Sequence, residues 1–160
     1  MIDAIDQAAG LSPDDKLFSA RRFRPEFVEG AELCRHAVLT PANDQGLATD
    51  LRIALARRMA VLNDNQPLIA EYDAQLTACQ PSPQLLALAS GATITEQPLA
   101  AIARHVDLIT LTPFAATAHD ITRLEQAGLN NPQIVALSEL IAFINFQTRV
   151  TTGLRLMRSL

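Results

Sequence analysis

Apolar residues recur every three or four positions along most of this chain and almost nowhere at every second. After Pro25, the positions Phe27, Ala31, Cys34 and Val38 keep that spacing. Leu51, Leu55, Met59 and Leu62 do the same in the following segment, with Arg52, Arg57 and Arg58 off the stripe. Pro67 opens a run through Ile69, Tyr72 and Leu76, and the stretch from Pro98 to Leu111 carries Leu99, Ile102, Val106 and Ile109. This period turns one face of a helix toward a core. β-branched residues never alternate for long with polar ones, and Thr110 to Thr112 is too short for a strand. The expected fold class is all-α.

Helix boundaries are written in the prolines. Ser12-Pro13, Thr40-Pro41, Ser82-Pro83, Thr112-Pro113 and Asn131-Pro132 each place a capping side chain before a residue that needs no N–H. That is the signature of a helix start. Thr117 to Asp120 resembles a capping box with aspartate in the glutamate position, and Gly128 has the character of a helix terminator.

The longest expected helix runs from about 132 to 157. Val135, Phe143, Phe146, Val150 and Met157 share a broad apolar face, with Ser138, Asn145 and Arg149 on a narrower polar strip. Such a helix belongs at the centre of the fold or in an oligomer interface. A weak internal echo relates Ile53–Asp64 to Val135–Phe146 through Ala54/Ala136, Leu55/Leu137, Ala60/Ala142 and Asn63/Asn145. It is the mark expected of a repeated helical unit. The whole of 1–160 reads as one domain, with residues 1–24 forming an N-terminal arm and short helices.

Composition narrows the partners. Apolar residues make up 49% of the chain, which argues against disorder, but aromatics are only 4% and tryptophan is absent. The core must therefore be built from small aliphatic side chains. The net charge is −4, and the densest basic stretch, Ala20–Arg24, reads as a solvated helix end or an oligomer contact rather than a nucleic-acid footprint. The acidic N-terminus has no basic leader region, and the longest strictly apolar run, Leu140–Ile144, is far short of a membrane span. Cys34 and Cys79 form no CxxC pair, and reduced thiols in a cytoplasm are the expectation. Each reads as a small core residue.

His36, His105 and His119 show no metal-ligand spacing, so no metal or other cofactor is expected. His105 reads as solvated or supporting, and His119 as a neighbour of a helix cap. Glu139 shares a sector with the apolar face of the last helix, where a carboxylate needs a cation or donors. Arg57, its counterpart in the internal echo, is the candidate partner, with a proton-carrying role in a pocket as the functional alternative. Asn145 and Arg149, four residues apart, are expected to form a buried or interfacial contact.

Ala127-Gly128-Leu129, then Ile134-Val135-Ala136-Leu137, then Ile144-Asn145-Phe146-Gln147-Thr148-Arg149 resemble the C-terminal half of alkylhydroperoxidase D-like (AhpD-like) proteins of the carboxymuconolactone decarboxylase superfamily, in its peroxidase-related branch. The resemblance runs from about Leu17 to the end. It implies an all-α fold on a repeated helical unit, assembled into a homo-oligomer. Redox-active members carry Glu, then CxxC, then His at a helix–helix joint. There a thiolate attacks peroxide, a second thiol resolves the sulfenic acid, and Glu and His relay protons.

Laid on that pattern through Leu62-Asn63, this sequence has Ile53 at the glutamate, Asn65 at the first cysteine, Leu68 at the second and Tyr72 at the histidine. None can do the corresponding chemistry. The resemblance thus implies a non-peroxidatic accessory, binding or scaffold member, with a small-molecule pocket expected near residues 65–72. The alternatives are an antioxidant peroxidase working through another thiol, or decarboxylase-like chemistry pairing Glu139 with a histidine.

Overall fold

The computed structural model describes all of residues 1–160 and contains nine α-helices and no strand. In chain order they are α1 (Ala4–Ala9), α2 (Lys16–Arg21), α3 (Pro25–Leu39), α4 (Thr49–Leu62), α5 (Gln66–Ala78), α6 (Pro83–Ala89), α7 (Leu99–Leu111), α8 (Ala118–Gln126) and α9 (Asn131–Arg158). A single 3₁₀ turn, Pro113–Ala115, links α7 to α8. No helix is long and apolar enough to cross a membrane.

The central element is α4, which packs on α3, α5, α6, α7 and α9. It is buried around most of its circumference, from Arg52 to Ala60, as a helix surrounded on several sides must be. Ala54, Ala56 and Ala60 are completely buried, and their small side chains let the neighbouring helices approach closely. Larger residues fill the spaces between: Leu55, Met59, Leu68, Tyr72, Leu76, Leu88 and Leu137.

Two of the arginines that lie off the apolar stripe of α4, Arg52 and Arg58, are buried. Arg52 donates to the carbonyls of Leu47 (2.7 Å), Val38 (2.9 Å) and Asp44 (2.8 Å). Arg58 forks onto Asp107 with two bonds of 2.7 Å and donates to the carbonyls of Leu88 and Ala92. Each guanidinium thus satisfies carbonyls left open near the C-terminal end of a neighbouring helix, where a cation is also favoured by the helix dipole. An apolar stripe on α4 says nothing about this, because the partners lie far away in sequence.

The long final helix begins one residue earlier than expected. Asn130 is its cap, exchanging bonds of 3.0 Å with Gln133. Its buried side also differs from expectation. Ile134, Leu137, Leu140, Ile141, Ile144, Gln147, Thr148 and Thr151 face the core, whereas Val135, Phe146 and Met157 are exposed. Asn145, on the narrow polar strip, is buried and donates to Ile141 O (3.0 Å) and the Thr110 hydroxyl (3.3 Å). It also accepts from the Asn63 amide at 3.2 Å. The two asparagines matched in the internal echo therefore meet across α4 and α9. Arg149 lies exposed and does not join them.

The prolines divide into starts and stops. Ser82 caps α6 as expected, and Thr117 with Asp120 forms the capping box of α8. Thr40 and Thr112 instead end α3 and α7, and Ser12 sits in a turn held by the Asp15 carboxylate. A proline just past a helix end blocks its continuation as effectively as one at N1 suits a beginning. Gly128 follows α8 at φ +101°, a left-handed geometry suited to glycine.

Arg21 and Arg22 are not a solvated helix end. Arg21 grips Asp3 with two bonds of 2.9 Å and also reaches Asp6, while Arg22 donates to Asp6 at 2.6 Å. Burial alone would raise the Asp6 carboxyl, but bonds from Arg22, the Asp3 N–H and Arg21 hold it below the ordinary range. This network ties the N-terminal arm to α2.

Candidate functional site

The break between α4 and α5 is made by Asn63, Asp64 and Asn65. Asp64 takes φ +50°, and the Asn63 amide closes the end of α4 by donating to Met59 O at 2.8 Å. Asn65 is the N-cap of α5: its side-chain oxygen accepts from Leu68 N–H at 3.2 Å, and its amide donates to the Thr152 hydroxyl at 3.4 Å. The opening turn of α5 is thus fixed by the side chain at the position matched to a reactive cysteine.

Ile53, Asn65, Leu68 and Tyr72 are all buried, Leu68 and Tyr72 completely. The Tyr72 hydroxyl donates to Gln147 Oε1 on α9, and burial pushes the phenol far above its ordinary value. Beside this bond, Gln147 Nε2 and the Thr151 hydroxyl are buried without a partner. The fold therefore buries all four matched positions, and two of them, Asn65 and Tyr72, bond to polar side chains of α9. None of them lines the groove between α3 and α9 or the clefts around His105.

Both cysteines are exposed rather than core residues. Cys34 lies on α3 in an apolar groove against α9, together with Phe27, Phe143, Phe146 and Glu139. Cys79 caps the end of α5. The groove holds two carboxylates, Glu26 and Glu139, but no arginine, lysine, histidine or second cysteine. It offers nothing that would stabilise a thiolate or resolve a sulfenic acid.

Glu139 is exposed, not partly buried. The arginine expected beside it is engaged elsewhere: Arg57 pairs with Asp73 at 2.9 Å and donates to Ala89 O. No histidine shares the groove with Glu139. His36 is on the exposed side of α3 beside Glu32, and His119 is exposed on α8. No group of three or more His, Cys, Asp or Glu side chains is gathered that could hold a metal.

His105 departs most from expectation. It is only 4% exposed, and its Nδ1 is buried with no partner. The ring lines two spaces, a cleft of about 510 Å³ between α7 and α8 and a cavity of about 470 Å³ against α8 and α9. Burial pushes the imidazole below its ordinary value, with the Asp120 carboxylate opposing that shift.

At the mouth of the cleft, Arg104 donates to Asp120 Oδ1 at 2.8 Å. The other oxygen of Asp120 accepts from the N–H and hydroxyl of Thr117 at 2.9 and 3.1 Å. The Thr117 N–H and the Arg104 guanidinium hold the Asp120 carboxyl down to about 2. In the sequence this cleft shows only as His105 and the Thr117–Asp120 capping box, which nothing in the local pattern joins.

No family model matches this chain, and no curated protein matches it. Among solved structures, it is similar to an uncharacterized peroxidase-related protein from Silicibacter sp. TM1040. The match has a TM-score of 0.72 and 15% identity, and covers 95% of this chain and 79% of the other. At that identity the likeness concerns the fold alone: the all-helical architecture of this chain matches that of the neighbour.

Proposed function

We propose that this chain is a non-peroxidatic member of the peroxidase-related branch of the carboxymuconolactone decarboxylase superfamily, serving as a binding or accessory protein. One observation carries the reading. Asn65, where the first redox cysteine would stand, is buried and spends its side chain capping α5. Leu68, at the second, is sealed in the core. A sulfur pair cannot act from positions already used for capping and packing, since function resides in the site rather than the scaffold.

The exposed thiols support the same conclusion. Cys34 has no cationic or thiol neighbour in its groove, and a peroxidatic thiol needs an electropositive setting and a resolving partner. Two free cysteines also suit a reducing compartment such as the cytoplasm.

The test is turnover of tert-butyl hydroperoxide with dithiothreitol as electron donor, comparing the wild type with Cys34→Ser and Cys79→Ser. The expected result is no protein-dependent consumption in any of the three. Turnover in the wild type that either substitution abolishes would overturn the reading.

A further inference from the structure

We propose that the cleft between α7 and α8 binds a small organic monocarboxylate, held by Arg104 and Arg123 at its mouth and hydrogen-bonded by His105 at its wall. This deepens the binding reading above, and rests on it, by naming a place and a chemistry for the ligand.

Buried polar atoms without partners are few in native proteins, and each calls for an explanation. His105 Nδ1 is such an atom, on a side chain more than nine-tenths buried that lines the cleft. A ligand able to accept or donate one hydrogen bond explains why the ring is kept at this wall.

The charges define the ligand further. Arg104 commits one Nη1 bond to Asp120 and leaves its Nε and Nη2 without protein acceptors. Arg123, one turn beyond Asp120 on α8, is exposed, lines the cleft and forms no ion pair. Two guanidiniums against one carboxylate leave the lining with one uncompensated positive charge. A singly charged carboxylate neutralises it, and its planar geometry matches the guanidinium fork. A phosphate dianion would leave negative charge facing Asp120.

The rest of the lining is mixed, with Ile94, Ala100, Ala101 and Ala127 beside the side chains of Gln97 and Gln126. Its apolar part seats a short hydrocarbon body. Because burial disfavours the charged imidazole, the ring at neutral pH offers one N–H and one lone pair without adding charge.

The experiment is a ¹H–¹⁵N NMR titration of the full chain with benzoate, benzamide and inorganic phosphate, each to about 10 mM. Benzoate is expected to shift the amides of residues 97–105 and 120–127 saturably and to move the His105 ring nitrogen signals. Benzamide and phosphate are expected to do neither. Arg123→Gln, at an exposed position whose side chain forms no ion pair, should weaken benzoate about tenfold with the rest of the spectrum unchanged.

The proposal is overturned if benzoate gives no saturable shift, if benzamide or phosphate binds as well, or if Arg123→Gln leaves the affinity intact. Failure here with no peroxide turnover removes the carboxylate site alone. Thiol-dependent turnover removes the reading on which it rests.

Discussion

Replacing Glu71 with glutamine should stabilise this protein at alkaline pH and leave it unchanged in acid. Glu71 sits half-buried on α5 beside Tyr72, with Gln75 donating to it at 3.2 Å. Burial pushes its carboxyl up from 4.5 to about 7, against the pull of Arg35; the nearby Glu32 adds to the rise. The folded state therefore holds this proton more tightly than the unfolded chain. The stability it contributes is complete below pH 4.5 and is lost as pH rises through about 7.

A shift of that size corresponds to about 3 kcal/mol once both states are ionised. Partial exposure screens the site and brings the expectation to ~2 kcal/mol. Glutamine keeps the shape and an acceptor for Gln75 while removing the charge. Urea denaturation of wild type and Glu71→Gln at about pH 8.5 should show the variant more stable by ~2 kcal/mol, the gap closing to a few tenths near pH 4. Comparing both proteins at each pH cancels the titration of Asp6 and Asp120. A gap that is independent of pH, or a variant less stable at pH 8.5, would refute the assignment of a destabilising charge at Glu71.

Other substitutions probe the packing in the same way. Arg58→Ala should cost about 3 kcal/mol or more in chemical denaturation, because it strands Asp107 and two carbonyls that the guanidinium satisfies. Asn65→Ala should cost about 1 kcal/mol through loss of the α5 cap, where Asn65→Asp, which keeps the acceptor, should recover most of it. Tyr72→Phe should cost about 1 to 3 kcal/mol, since it leaves Gln147 Oε1 buried and unpaired. Cys34→Ser, at an exposed site, should move stability by less than about 0.5 kcal/mol.

The residues that declared themselves in the sequence act locally. Pro67 within the first turn of α5, the Thr117–Asp120 box, Gly128 after α8 and the length of α9 each depend on neighbours within a few positions. Even there, Thr40-Pro41 and Ser82-Pro83 read alike, while one ends a helix and the other starts one. The difference lies downstream of each proline: α6 begins at Pro83 itself, whereas α4 waits until Thr49, well past Pro41.

What stayed hidden depends on distant contacts. Arg58 is buried because Asp107 and the end of α6 meet it in space. His105 is buried because α8 and α9 close over α7. For a related reason, Glu139 and the two cysteines are exposed where an apolar face predicts burial. A helical period identifies an apolar face, but it does not say whether another helix covers that face. The α3 stripe through Phe27 and Cys34 is covered only near Ala31 and Val38.

The most direct test of the central claim is chemical trapping at the two thiols. The folded protein would be exposed for seconds to an equimolar amount of tert-butyl hydroperoxide in the presence of dimedone, then mapped by mass spectrometry. In a scaffold without a peroxidatic site, Cys34 and Cys79 should react no faster than the same cysteines in the urea-unfolded chain, with no Cys34–Cys79 disulfide. Rapid dimedone labelling of either residue in the folded protein alone, or formation of that disulfide, would contradict it.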